Sequence, residues 1–142
     1  MRISDKGLAL IKRFEGFRAT VYRDAAGHPT IGYGHKLRRG ERIRRITKAQ
    51  ALELLRRDVM TAERAVRNNV RVRLTQKQFD ALVSFTFNLG AGALRRSAML
   101  RRGNERLHAK VPMELTKWVN AGGRPLLGLA RRRVAEAQLY VS

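Results

Sequence analysis

Residues 14 to 35 constrain this chain more than any other stretch: Phe14-Glu15-Gly16-Phe17-Arg18-Ala19-Thr20-Val21-Tyr22-Arg23-Asp24-Ala25-Ala26-Gly27-His28-Pro29-Thr30-Ile31-Gly32-Tyr33-Gly34-His35. A helical periodicity stops at its head and short extended pieces follow. Pro29 biases His28 towards an extended backbone. Gly32 and Gly34 alternate with Ile31, Tyr33 and His35, and glycines weaken a strand unless something must come close to its backbone. The stretch holds two of the three acids found among the first 40 residues. Glu15 ends the helix pattern, Asp24 opens a turn, and Thr30 begins the next extended run. A carboxyl, a second carboxyl and a hydroxyl from three elements can line a cleft suited to acid-base hydrolysis.

The flanking sequence predicts helices. Ser4 can cap a helix from Asp5 to about Glu15, with Leu8, Ile11 and Phe14 on one face and Gly16 as its stop. The partial negative charge at that helix end favours a protonated Glu15, while Arg13 and Arg18 push the other way. Thr20-Val21-Tyr22 and Thr30-Ile31-Gly32-Tyr33 read as strands around an Asp24–Gly27 turn. Thr47 with Gln50, and Thr75 with Gln78, form capping boxes. The first opens a helix from Lys48 to about Asn68. The second opens one from Gln76 to Leu89 that is apolar nearly all round and so belongs in a core. Further helices are expected at Ala93–Arg102, Glu105–Lys110, Met113–Val119 and Leu129–Tyr140, with Asn120–Pro125 as a loop.

Charge narrows the partners. Of 142 residues, 31 are Lys or Arg and 11 are Asp or Glu, a formal net charge of +20. Such a surface attracts polyanions, whether nucleic acid, anionic lipid or cell-wall polymer. There is no cysteine, hence no disulfide. No pair of the three histidines has metal-ligand helical spacing, and neither a metal nor another cofactor is expected. No apolar run approaches the ~20 residues that span a bilayer. The N-terminal residues do not read as a signal peptide.

Several motifs occur in a fixed order: Glu15-Gly16, Tyr22-x-Asp24, Gly27-x-x-Thr30-Ile31-Gly32-Tyr33-Gly34-His35, Phe85-x-Phe87-Asn88-x-Gly90, Trp118, and Gly128-Leu129-x-x-Arg132-Arg133-x-x-Glu136. In this the chain resembles the phage-type lysozymes, the muramidases of tailed bacteriophages, from about Ser4 to Tyr140. The most specific element is Glu15, then Asp24 nine residues on, then Thr30 six further, closing on Gly-x-Gly-His.

The resemblance implies an α+β fold in one domain, 1–142. A small β-hairpin lobe (about 16–46) and a larger helical lobe (about 70–142, with 1–15 packed on it) would be joined by a long helix (about 47–69). It implies hydrolysis of the β-1,4 bond between N-acetylmuramic acid and N-acetylglucosamine in peptidoglycan. Glu15 would be the general acid, Asp24 would orient or activate water, and Thr30 would help hold that water. Tyr33, Phe87, Asn88 and Ser97 would contact substrate. An ionised Asp24 beside an acid Glu15 is the division of labour such chemistry needs. Water activation also places their carboxyls in the wider, inverting class of separations.

The sequence departs from the family pattern at Arg95-Arg96, where an aromatic or polar residue is usual, and at Lys36, where an apolar one is. Exported relatives often carry an N-terminal anchor, and none is read here. The expected enzyme is a monomer that waits in the host cytoplasm until released to the wall. Its charge would hold it on anionic envelope polymers, with no specific nucleic acid as partner.

Each site residue has a plainer reading: Glu15 as a helix-end acid, Asp24 as a turn former, Thr30 as a β-former, Phe87 and Trp118 as core. Arg131-Arg132-Arg133 needs no ligand as a solvated helix face. The competing functions are a basic nucleic-acid- or envelope-binding protein without hydrolase activity, and a catalytically dead wall-binding module. Because acids are scarce, His35 is expected to pair with Asp58, midway along the long helix. That pair would raise the histidine pKa and lower that of the aspartate.

Overall fold

The computed structural model describes residues 1–142, which form two compact units. One comprises Lys12–Met60, and the other Met1–Ile11 with Thr61–Ser142. The division falls inside two helices, α1 (Asp5–Glu15) and α2 (Lys48–Asn69), and not at the ends of α2.

In the first unit, β1 (Arg18–Arg23), β2 (Pro29–Gly32) and β3 (His35–Lys36) form an antiparallel sheet in that order. Thr30 pairs with Tyr22 on one side and Lys36 on the other, and Ile31 pairs with His35. Directly opposed residues share a face, and neighbours in a strand take opposite faces. Tyr22, Thr30 and Lys36 therefore form a row on one face. Ile31 and His35 point the other way and are buried with Ala51, Leu54, Leu55 and Val59 of α2. The outer edge of β1 is covered where Thr20 bridges to Arg45 and Ile46 N–H donates to Ala19 O at 2.9 Å, which removes an exposed edge. The Thr47–Gln50 box opens α2, with bonds of 3.1 and 2.9 Å.

The second unit is built on α3 (Gln76–Leu89), which carries eight consecutive buried residues from Phe79 to Thr86 and a complete capping box at Thr75 and Gln78. The N-terminal residues are fastened to it. Ser4 N–H donates to Asp80 Oδ1 at 3.0 Å, Ser4 Oγ donates to Asp80 Oδ2, and Ile3 N–H donates to Glu63 at 2.7 Å. Gly7 is required where α1 crosses this point: an added Cβ would lie 2.7 Å from Asp80 Cγ and 2.6 Å from Ile3 Cγ1.

Beyond α3 the chain is more broken than its periodicity predicts. The expected Ala93–Arg102 helix is two, α4 (Ala91–Arg96) and α5 (Ala98–Asn104). Ser97 divides them in an extended conformation (φ −77°, ψ 142°), and its Oγ accepts from Leu100 N–H at 3.0 Å to cap α5. The expected 105–110 helix shrinks to a 3-10 turn, His108–Lys110, after Arg106 takes a left-handed φ of 64°. Next comes α6 (Val111–Leu115), shorter than expected and shifted towards the N-terminus. The 120–125 loop is a hairpin of β4 (Asn120–Ala121) and β5 (Arg124–Pro125), turning through Gly122 and Gly123 at φ 58° and 76°. Positive φ at both central residues suits a type I′ turn.

The last helix, α7 (Leu127–Val141), overturns the solvated-face reading of Arg132 and Arg133. Both are buried, as is Glu136. Arg132 Nε lies 3.3 Å from Glu136 Oε2, Arg133 Nη2 lies 3.1 Å from that same oxygen, and Arg133 Nε lies 2.7 Å from Oε1. Ser84 of α3 donates to Glu136 Oε2 at 2.5 Å. Arg133 also stacks over Phe85, 5.0 Å from the ring centre. Burial pushes the Glu136 carboxyl up and the Arg133 guanidinium down, and their mutual attraction opposes both shifts. Removing one partner of a buried ion cluster leaves an uncompensated charge. Glu136→Gln should therefore cost about 3–5 kcal/mol, read as a lower denaturant midpoint at unchanged slope.

Candidate active site

Glu15 is the last residue of α1, whose end is marked by Gly16 N–H donating to Lys12 O at 2.9 Å. Its carboxyl rests against the backbone of Gly34. That glycine has φ +78°, and a Cβ there would lie 2.6 Å from Glu15 Oε1 and 3.3 Å from its Cδ. Gly34 thus meets two demands, a left-handed backbone and an empty side-chain position. The Tyr22 phenol sits within the field of both acids. Its pKa is raised first by burial, then by the charge of Glu15, with Asp24 adding and Arg18 opposing.

Asp24 opens the β1–β2 turn. Its Oδ1 accepts from Ala26 N–H at 2.9 Å and from His28 N–H at 2.8 Å. Oδ2 faces His28 Nδ1 and the Lys36 ammonium, each at 3.6 Å. The His28 N–H bond above all holds the Asp24 pKa below its usual value, helped by Ala26 N–H, His28 and Lys36 and opposed by desolvation. The stabilisation that goes with this is present above the ordinary aspartate range and is lost as pH falls through the lowered pKa. The turn-forming and ionised-carboxylate readings of Asp24 thus describe the same geometry. Thr30 is 2% exposed, and its hydroxyl donates to His28 O at 2.9 Å, leaving its lone pairs to accept another donor.

On the opposite face of the sheet, His35 Nδ1 lies 2.7 Å from Asp58 Oδ2. Its Nε2 lies 3.2 and 3.3 Å from the two oxygens of Glu41, which the sequence did not single out. Glu41 Oε1 also accepts from Arg38 N–H at 2.6 Å, which with His35 lowers the Glu41 pKa. Glu41 follows His35 by six residues across an irregular loop, where neither helical nor strand periodicity places a side chain.

The expected substrate contacts divide. Tyr33 is buried, with its ring packed 5.5 Å from that of Phe17 and the Lys12 ammonium 5.5 Å from its centre. Ser97 is fully buried, its hydroxyl donating to Leu94 O at 2.7 Å as well as capping α5. Tyr33 is 8% exposed, and the Ser97 hydroxyl is engaged both as donor and as acceptor. Phe87 and Asn88 are half-buried at the end of α3, and Asn88 Oδ1 accepts from Arg133 Nη2 at 2.8 Å. Trp118, expected in the core, is half-buried and meets Phe85 edge-on at 5.5 Å. No group of three His, Asp or Glu side chains is placed to hold a metal ion.

Residues 12–136 match the Phage lysozyme family. The chain belongs to that family. It is 40% identical to an endolysin of Acyrthosiphon pisum secondary endosymbiont phage 1, covering 100% of this chain and 99% of the relative. It is 38% identical to the endolysin of Salmonella phage P22, over 100% and 99% of the two chains. Among solved structures, the muramidase domain of SpmX from Asticaccaulis excentricus superposes with a TM-score of 0.90 at 39% identity, covering 99% of this chain and 98% of that one. The fold of this phage lysozyme is accordingly α+β and lysozyme-like. Membership leaves the nucleic-acid reading with charge alone in its favour.

In this lysozyme the Gly34 contact is open to test. Gly34→Ala should cost about 1–2 kcal/mol for its left-handed backbone and move the Glu15 carboxyl off the turn. A crystal structure of the variant with Glu15 in its present position would refute the second point.

Proposed function

We propose that this phage lysozyme is a peptidoglycan hydrolase that cleaves the β-1,4 bond between N-acetylmuramic acid and N-acetylglucosamine by general acid-base catalysis. Glu15 gives its proton to the leaving glycosidic oxygen as the C1–O bond breaks. A water attacks C1 and passes a proton to Asp24, and Thr30 Oγ1 accepts a hydrogen bond from that water. The observation that carries this reading is the contrast between two carboxyls grouped around Tyr22. Asp24 accepts from two N–H donors and faces the Lys36 ammonium, which favour its ionised form. Glu15 lies against the bare backbone of Gly34.

Phe87 and Asn88 are proposed as sugar contacts, the first as an apolar platform and the second through its amide. The Arg133 bond to Asn88 would orient that amide. The protein acts as a monomer, and its charge of +20 holds it on phosphates and carboxylates of the envelope. No helix is long and apolar enough to cross a membrane. We place the folded enzyme in the host cytoplasm before its release to the wall.

Two isosteric variants test the roles. Glu15→Gln removes the acidic proton, and Asp24→Asn keeps the Oδ1 acceptor that the turn needs. Each should lower wall lysis by about 10²–10⁴-fold, and Glu15→Gln should leave the unfolding midpoint nearly unchanged. A fully active Glu15→Gln enzyme refutes the assignment. Water activation by Asp24 also requires product with inverted anomeric configuration, which NMR of fresh product reads directly.

The charge has its own signature. Tight electrostatic holding slows departure, and salt screens it, with a Debye length of about 10 Å at 0.1 M. Lysis of whole walls should peak at an intermediate ionic strength and fall above it. Cleavage of a short neutral oligosaccharide should change far less. Equal falls in the two assays would mean that salt acts on folding or on the active site.

A further inference from the structure

The sheet register sets where the Lys36 side chain is presented. Lys36 is the cross-strand partner of Thr30, which is the partner of Tyr22. All three share the face that carries the candidate acids, while the neighbouring His35 faces α2. A residue at this position points at Asp24 because a strand alternates its faces. The side chain is 65% exposed, yet its ammonium comes within 3.6 Å of Asp24 Oδ2. That oxygen is the one left over, since Oδ1 is taken by the N–H groups of Ala26 and His28.

We propose that Lys36 is a positioning residue for the hydrolytic reaction, an ammonium that steers Asp24 Oδ2. The proposal rests on the reading of Asp24 as the group that handles water. The titratable and charged groups around Asp24 are few. Tyr22 and Arg23 come from β1, His28 from the turn and Lys36 from β3, and the Glu15 carboxylate acts on the same Tyr22. Arg23 Nη1 is engaged with Gly27 O at 2.8 Å. Two basic side chains reach Oδ2, His28 from the turn and Lys36 from β3. The partners of Lys36 and of His35 also lie on opposite faces of the sheet, so changing one leaves the other in place.

A unit charge about 4 Å from a carboxylate in a water-like medium shifts its protonation equilibrium about fivefold, and salt reduces this. The test compares the wild type with Lys36→Leu and Lys36→Arg, each also in a His28→Gln background. One readout is kcat/KM for a short, neutral, peptide-free oligosaccharide against pH, at low and high salt. The other is the Asp24 carboxyl titration followed by carbon NMR.

At low salt, the ratio of kcat/KM at about pH 4 to that at pH 7 should fall by up to about twofold in Lys36→Leu, since the lowered Asp24 pKa leaves most of that carboxyl ionised there. Lys36→Arg should restore it, and about 1 M salt should carry the wild type to the same profile. The Asp24 carboxyl should titrate at higher pH in Lys36→Leu.

Unchanged profile and titration in that variant would overturn the proposal. So would a loss equal at all pH values, or one confined to peptide-bearing glycans, since Lys36 would then be serving the substrate. Full activity in Asp24→Asn would overturn both the catalytic reading of Asp24 and the role of Lys36 in the reaction. A titration that still moved in Lys36→Leu would trace that failure to Asp24, because the ion pair itself would stand.

Discussion

A histidine gripped from both sides fixes the small sheet. His35 lies between Asp58 of the long helix and Glu41 of the following loop. Both ring nitrogens lie within hydrogen-bond reach of carboxylate oxygens. This grip locks the register of β3, and in a sheet the register decides everything about direction. A slip of one residue would exchange the two faces. Thr30 would turn towards the helix, and His35 would be driven out towards the acids. The candidate acids depend on a contact made on the far side of the sheet from them.

The helical unit has a comparable centre, formed differently. One carboxylate, Glu136, collects two guanidiniums and a hydroxyl inside an otherwise apolar packing of α3 and α7. Desolvating such charges is expensive, so the cluster is a poor source of net stability and a strong enforcer of a single arrangement. Arg133 reaches beyond it to Asn88, the polar residue that ends the buried run of α3. The orientation of one half-buried amide is thereby set from inside the core.

Much of this was legible beforehand where a local rule has a local cause. Both capping boxes, the start of α3, the end of α1 at Gly16 and the hairpin around Asp24 follow from residues within a few positions of one another. The α+β class and the family followed from motif order. What escaped the sequence was set by distant partners. Periodicity ran Ala93–Arg102 together because Ser97 looks like any helical serine until its hydroxyl turns to cap the next segment. Arg132 and Arg133 read as solvated because charge in a helix is usually exposed, and only the burial of Glu136 beside Ser84 reverses that. Glu41 had no pattern at all.

The arginine excess therefore has two populations. Most of the cationic surface is interchangeable ballast for electrostatics, where lysine or glutamine would fold as well and only the affinity for polyanions would change. Arg132 and Arg133 are structural members whose fork-shaped donors match Glu136, Asn88 and the Phe85 ring in ways an ammonium cannot reproduce. A version of this enzyme redesigned for lower charge can be neutralised along much of its exterior, provided those two positions and the Lys36 ammonium beside Asp24 are left as they are.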